Sequence, residues 1–87
     1  MFKIRNITNN NGREVVNQFI IETDEARYFQ SYNSIIVKIE KGKVYLDKNY
    51  WNYSTTTSKY RNQFLEENRK ETENNINNGE DTHVNLY

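Results

Sequence analysis

Apolar and polar residues alternate with a period of two from residue 2 to residue 47, and beyond that the spacing lengthens to three and four. Phe2 and Ile4 alternate with Lys3 and Arg5, which predicts a short strand with one apolar face. Asn9-Asn10-Asn11-Gly12 follows, and Asn-Gly between two strand-like runs is a strong hairpin signal because both residues tolerate positive φ. Residues 14–22 (EVVNQFIIE) predict a second strand with Val15, Phe19 and Ile21 on one face and Asn17 in register between them. Thr23-Asp24-Glu25 turns the chain into a third strand over 26–32 (ARYFQSY). Residues 34–40 (SIIVKIE) put Ile35, Val37 and Ile39 on one face and Ile36, Lys38 and Glu40 on the other. This is the most apolar run and is expected to be central. Lys41-Gly42-Lys43 makes a tight connection to VYLD at 44–47. Connections this short favour an antiparallel meander, since parallel strands need a crossover of roughly a dozen residues or more.

After Asp47 the helical period begins. Ser54 is placed to cap a helix near 54–67, its hydroxyl accepting from a backbone N–H of the first turn. Tyr53, Thr57, Tyr60, Phe64 and Leu65 fall near one stripe. The Thr55-Thr56-Thr57 run has weak helix propensity, so an irregular or 3₁₀ first turn is expected. Asn68 with Glu71 has the spacing of a capping box and opens a short polar helix over 69–78, anchored by Ile76 and closed by Gly79. Thr82 to Tyr87 read as a final strand with Val84 and Leu86 inward. The prediction for residues 1–87 is therefore one small α+β domain. It has an antiparallel meander of four to five strands, one packed helix, a short second helix and a C-terminal strand.

Composition sharpens this picture in one respect. Apolar residues make up only 34% of the chain, but aromatics reach 14%, so few large side chains must form the core. Residues 44–65 hold Tyr45, Tyr50, Trp51, Tyr53, Tyr60 and Phe64 and are expected to anchor it. Net charge is zero, so no global field favours nucleic acid or a membrane. Locally, Lys43, Lys48, Lys59 and Arg61 against Asp47 leave residues 43–61 at +3, and residues 62–81 sum to −4. With no cysteine there is no disulfide framework or thiolate metal site. The start lacks the apolar run of a signal peptide, and a cytoplasmic location is the expectation.

Three stretches carry a family resemblance: YFQSYNSIIVKI at 28–39, VYLDKNYWNYSTTTSKYRNQFL at 44–65 and, more loosely, KETENNINNGE at 70–80. The YW-x-YS-x-TT-x-KYRN core resembles a family of small uncharacterised proteins carried by bacteriophages and other mobile elements of Gram-positive bacteria. The resemblance transfers no catalytic residue and implies a setting, a mobile-element protein inside a bacterial cell. Relatives tend to carry glycine after the FL pair. Here Glu66 follows, which implies a shifted or absent break between the helices.

Candidate chemistry is sparse. His83 is the only histidine and has no second nitrogen or sulfur ligand to share a zinc ion, so an exposed strand position is expected for it. The acid pairs Asp24-Glu25, Glu66-Glu67 and Glu80-Asp81 fall at turns and helix ends, where water levels the pKa differences that acid–base pairs need. Glycines at 12, 42 and 79 form no phosphate loop. Neither an enzymatic activity nor a cofactor or metal is expected. Trp51, Tyr53 and Tyr60 are expected in the core, with Tyr50, Lys48, Lys59 and Arg61 on a contact surface for a host protein. The alternative is a stacking platform for single-stranded nucleic acid, with the same cations on phosphates. A small non-enzymatic mobile-element protein is expected to bind and inhibit a host defence effector such as a nuclease, in the manner of an anti-CRISPR protein.

Overall fold

The computed structural model describes residues 2–67, 69–79, 81–84 and 86, with only the backbone described at 69 and 81–83. Five strands run in sequence as an antiparallel meander: β1 (Lys3–Thr8), β2 (Glu14–Glu22), β3 (Ala26–Ser31), β4 (Ser34–Glu40) and β5 (Lys43–Asp47). Two helices follow, α1 (Thr55–Leu65) and α2 (Arg69–Asn77). A sixth strand, β6 (Asp81–Val84), joins the edge parallel to β5, the helices having supplied the crossover that parallel pairing requires. The sheet order β1-β2-β3-β4-β5-β6 follows the chain, and β3 and β4 are its two central strands. The turns carry the left-handed residues that tight hairpins need: Lys41 (φ 52°) and Gly42 (φ 76°) form the β4–β5 connection.

Both helices pack on one face of the sheet. The core there is Ile7, Ile20, Phe29, Ile36, Val37 and Leu46 from the strands and Tyr60 and Phe64 from α1. Phe29 stacks on Phe64 at 5.9 Å between ring centroids, and the Arg27 guanidinium lies 5.1 Å from the Phe64 ring. Ile76 brings α2 against the same cluster. Burying each such side chain stabilises the fold by about 1.5–3 kcal/mol, a large share of what a domain this small has.

Two bulges reverse the faces expected from strict alternation. In β2, Asn17 adopts φ 65°, and the β1–β2 register slips between Asn6 and Thr8. Val15 still packs toward the helices, but beyond the bulge Gln18 and Ile20 take the inner face and Phe19 and Ile21 the outer one. The bulge is held from both sides: Asn6 Nδ2 donates to the Val15 carbonyl (2.9 Å) and the Tyr32 N–H to that of Asn17 (2.7 Å). In β4 the extra residue is Ile36, lying between the partners of Gln30 and Phe29. Ile36 and Val37 are both fully buried, whereas Ile35 is turned outward with Gln30. An extra residue moves every later side chain to the other face, which is why period-two reading misassigns these positions.

Helix α1 starts where the spacing places it. The Ser54 hydroxyl accepts the Thr57 N–H (3.1 Å), and Ser58 N–H donates to the Ser54 carbonyl (2.9 Å), so the threonine run forms a regular α-turn rather than a 3₁₀ one. Thr57 is driven inward, where its hydroxyl meets that of Ser31 at 2.9 Å. The break after Leu65 is neither shifted nor absent. Glu66 itself takes the left-handed position (φ 57°, ψ 38°) and its N–H donates to the Asn62 carbonyl, closing the helix as glycine would. Gly79 (φ 77°) closes α2. The proposed cap Asn68 lies outside the described residues, as do Glu80 and Tyr87 and the side chain of His83.

Candidate functional site

The segment between β5 and α1 is organised by one buried carboxylate. Asp47 Oδ2 accepts the N–H groups of Asn49 (3.1 Å) and Tyr50 (3.0 Å), and Oδ1 accepts that of Leu86 (3.0 Å). Its backbone carbonyl accepts from Trp51 (3.0 Å), so residues 48–51 turn tightly around it. This turn delivers Trp51, Asn52 and Tyr53 to the start of α1.

Arg61 then fixes the side chains around that start. It is fully buried, its guanidinium carbon 5.1 Å from the Trp51 ring, and Nη1 donates to the Trp51 carbonyl. Nη1 also reaches Asn52 Oδ1 and Ser58 Oγ, each at 3.4 Å, and Nη2 donates to Asn62 Oδ1 at 2.8 Å. Ser58 Oγ donates to Asn52 Oδ1 at 2.7 Å. One buried cation thus orients Asn52, Ser58 and Asn62, and all three line an open surface cleft of about 660 Å³. Tyr53, Ser54, Thr55 and Lys59 complete its lining. Tyr53 is 47% exposed and meets Tyr50 edge-on at 5.3 Å. Lys59 is exposed, with Nζ 5.3 Å from the Tyr60 ring.

The residues expected at a contact surface therefore divide. Lys48 and Lys59 are exposed and Tyr50 is half-buried beside Tyr53. Arg61 is not at the surface, and its position explains why: it stands four residues after Thr57 and three before Phe64, on the stripe that faces the sheet. Of the aromatics expected inside, Tyr60 is in the core and Trp51 packs partly buried at its edge, but Tyr53 is a surface residue. Asn52 and Ser58 fall at variable positions of the YW-x-YS-x-TT-x-KYRN core and Asn62 is its last residue, but none carried a motif of known chemistry. The signal that links two of them is the i, i+4 spacing of Ser58 and Asn62 on the helix that also holds Arg61.

The cleft offers amides, hydroxyls, one phenol and one ammonium, a set suited to hydrogen bonding and aromatic contact. Among the described residues Lys59 is the one charged group of its lining. Of the acid pairs, Asp24 and Glu25 are exposed in the β2–β3 turn. Glu67 differs, because its carboxylate accepts from Thr72 Oγ1 (2.7 Å) and Asn75 Nδ2 (3.0 Å) and so ties the inter-helix link to α2. Among the described residues no helix is long and apolar enough to cross a membrane.

The class these features define is a two-layer α+β domain: a meander sheet covered on one face by two helices, with a polar cleft over the first. The chain belongs to a family of unknown function, DUF8033, which matches residues 2–81. No curated protein and no solved structure matches it.

Proposed function

We propose that this chain is a non-enzymatic interaction protein and that the cleft at the start of α1 is its contact surface. The observation that carries this reading is the exposed Tyr53, braced by Tyr50 and flanked by Lys59, Asn52 and Asn62. Tyrosine gives a large contact area at little entropic cost, and asparagine and serine adapt their hydrogen bonds to a partner. The buried Arg61 holds the cleft residues in place before a partner arrives, which lowers the ordering cost of association.

The resemblance of residues 28–80 to mobile-element proteins supplies the setting of this proposal, the cytoplasm of a Gram-positive host. The partner proposed is a host protein, and inhibition of a nuclease effector of bacterial immunity, anti-CRISPR-like, is the expected consequence. Binding of single-stranded nucleic acid is the weaker reading. With Arg61 inside, the proposed platform keeps Lys48 and Lys59 as its phosphate contacts.

The test is affinity capture from host lysate with the wild-type chain and with Tyr53→Ala and Lys59→Ala variants of unchanged circular dichroism. A host protein retained by wild type and lost with both variants supports the proposal. A partner retained equally by all three contradicts it, and salt-sensitive retention of oligonucleotides in place of protein favours the second reading.

A further inference from the structure

We propose that the helix-free face of the sheet packs against the same face of a second copy of this chain, the two sheets forming a sandwich about a two-fold axis parallel to the strands. Both helices cover the opposite face, and the bulges at Asn17 and Ile36 turn Phe19, Ile21 and Ile35 to the uncovered side. Register aligns Ile4, Ile21, Tyr28, Lys38 and Tyr45 in one row across β1 to β5 on that side. The outer faces of one-sided antiparallel sheets are ordinarily polar. Here Lys38 is folded down, its ammonium 3.3 Å from Glu40 and 5.8 Å from the Tyr45 ring, so the row presents an apolar surface with its central charge already paired.

Charge selects a second copy as the occupant. The β2–β3 turn carries exposed Asp24 and Glu25, and at the same end of the sheet the β4–β5 turn carries exposed Lys41 and β5 begins with exposed Lys43. A two-fold axis running parallel to the strands between β3 and β4 exchanges left and right. It lays β2 over β5 and β3 over β4, so each acidic turn meets the basic turn of the other copy. Strands so related stay nearly aligned, the commonest geometry of sheet-on-sheet packing. Pairing through the β1 edge is disfavoured, since a two-fold at Ile4 sets Lys3 against Arg5. Six strands about 4.8 Å apart and about six residues deep give a face of roughly 500 Å² in projection, commensurate with the ~800 Å² of accessible surface each partner buries in a stable interface. The clefts over α1 lie on the outer layers of such a dimer and stay open.

Sedimentation equilibrium of the full chain over a concentration series decides this. Wild type is expected to be a dimer that dissociates on dilution. The double variants Asp24→Lys/Glu25→Lys and Lys41→Glu/Lys43→Glu change exposed residues at that end of the sheet, and each is used only with native circular dichroism because Lys43 opens β5 opposite Glu40. Each is expected to weaken self-association about tenfold or more. Their equimolar mixture is expected to recover the dimer, because the reversed turns then face opposite charges. Ile35→Glu with native circular dichroism is expected to be monomeric, and if it does not fold the turn variants decide alone. A wild type that stays monomeric to millimolar concentration overturns the proposal. So does a dimer that neither double variant weakens, or a mixture that fails to reassociate.

Discussion

Asp47 and Leu86 stand 39 residues apart in the chain and are joined by a 3.0 Å hydrogen bond from the Leu86 N–H to Asp47 Oδ1. The same carboxylate accepts two N–H groups of the loop that leads to the cleft. One buried side chain therefore holds both the approach to the candidate site and the segment after β6.

Asp47→Ala removes the carboxylate acceptor of these three part-buried hydrogen bonds, and among the described residues only the Tyr50 N–H keeps a second acceptor, the Asp47 carbonyl at 3.3 Å. The expected cost is on the order of 2 kcal/mol in urea unfolding, since an orphaned buried donor costs about 1–3 kcal/mol and these donors are only partly shielded from water. Amide exchange at Leu86, Asn49 and Tyr50 should accelerate together. Exchange that changes at only one of the three contradicts the shared role.

Glu66 holds a left-handed conformation that favours glycine. Glu66→Gly is expected to raise stability by about 0.5–1 kcal/mol, the relief of backbone strain exceeding the added freedom of the unfolded chain. A lower unfolding midpoint would show that the Glu66 side chain stabilises the helix end by some other contact.

Gln18 is fully buried beside the core, and neither polar atom of its amide finds a hydrogen-bond partner among the described residues. Replacing an unsatisfied amide by an apolar group of similar volume removes a desolvation cost. Gln18→Met should therefore be neutral or stabilising, by up to about 1 kcal/mol. A loss of more than that, measured by urea unfolding, would mean the amide is satisfied.

Much of this fold was legible in the chain because its turns announce themselves. Gly12 and Lys41-Gly42 take positive φ between strand-forming runs, and Ser54 needs only its own hydroxyl to begin α1. The face of β2 was not legible past Asn17, nor that of β4 at Ile35 and Ile36, because a bulge is fixed by the neighbouring strand and leaves no fixed sign in its own residues; past Ile36 the expected faces of Val37, Lys38 and Ile39 hold. The cleft was half legible. Lys59 is exposed as its basic segment suggests, whereas Tyr50 is half-buried against the core and Arg61 is buried because its helical position, four residues from Thr57, outweighs its charge.

Lys38 has its pKa raised above 10.5, chiefly by its hydrogen bond to Glu40. A raised lysine pKa stabilises the folded state at pH values below the unfolded pKa, and that contribution is lost as pH rises through the folded value. Wild type should therefore exceed Glu40→Gln in thermal stability at neutral pH, and on the alkaline side the gap should persist until the pH rises through the raised lysine value. A gap that closes near pH 6 would assign it to another group.

The claim that Arg61 is the buried organiser of the cleft and Tyr53 its contact surface is tested most directly by urea unfolding of Arg61→Ala beside Tyr53→Ala. Arg61→Ala is expected to cost about 3–5 kcal/mol, because it removes the bonds to Trp51, Asn52 and Asn62 and opens a cavity under the Trp51 ring. Tyr53→Ala is expected to cost less than about 1 kcal/mol, as surface substitutions do. The reverse order, a tolerated Arg61→Ala beside a strongly destabilised Tyr53→Ala, would contradict it.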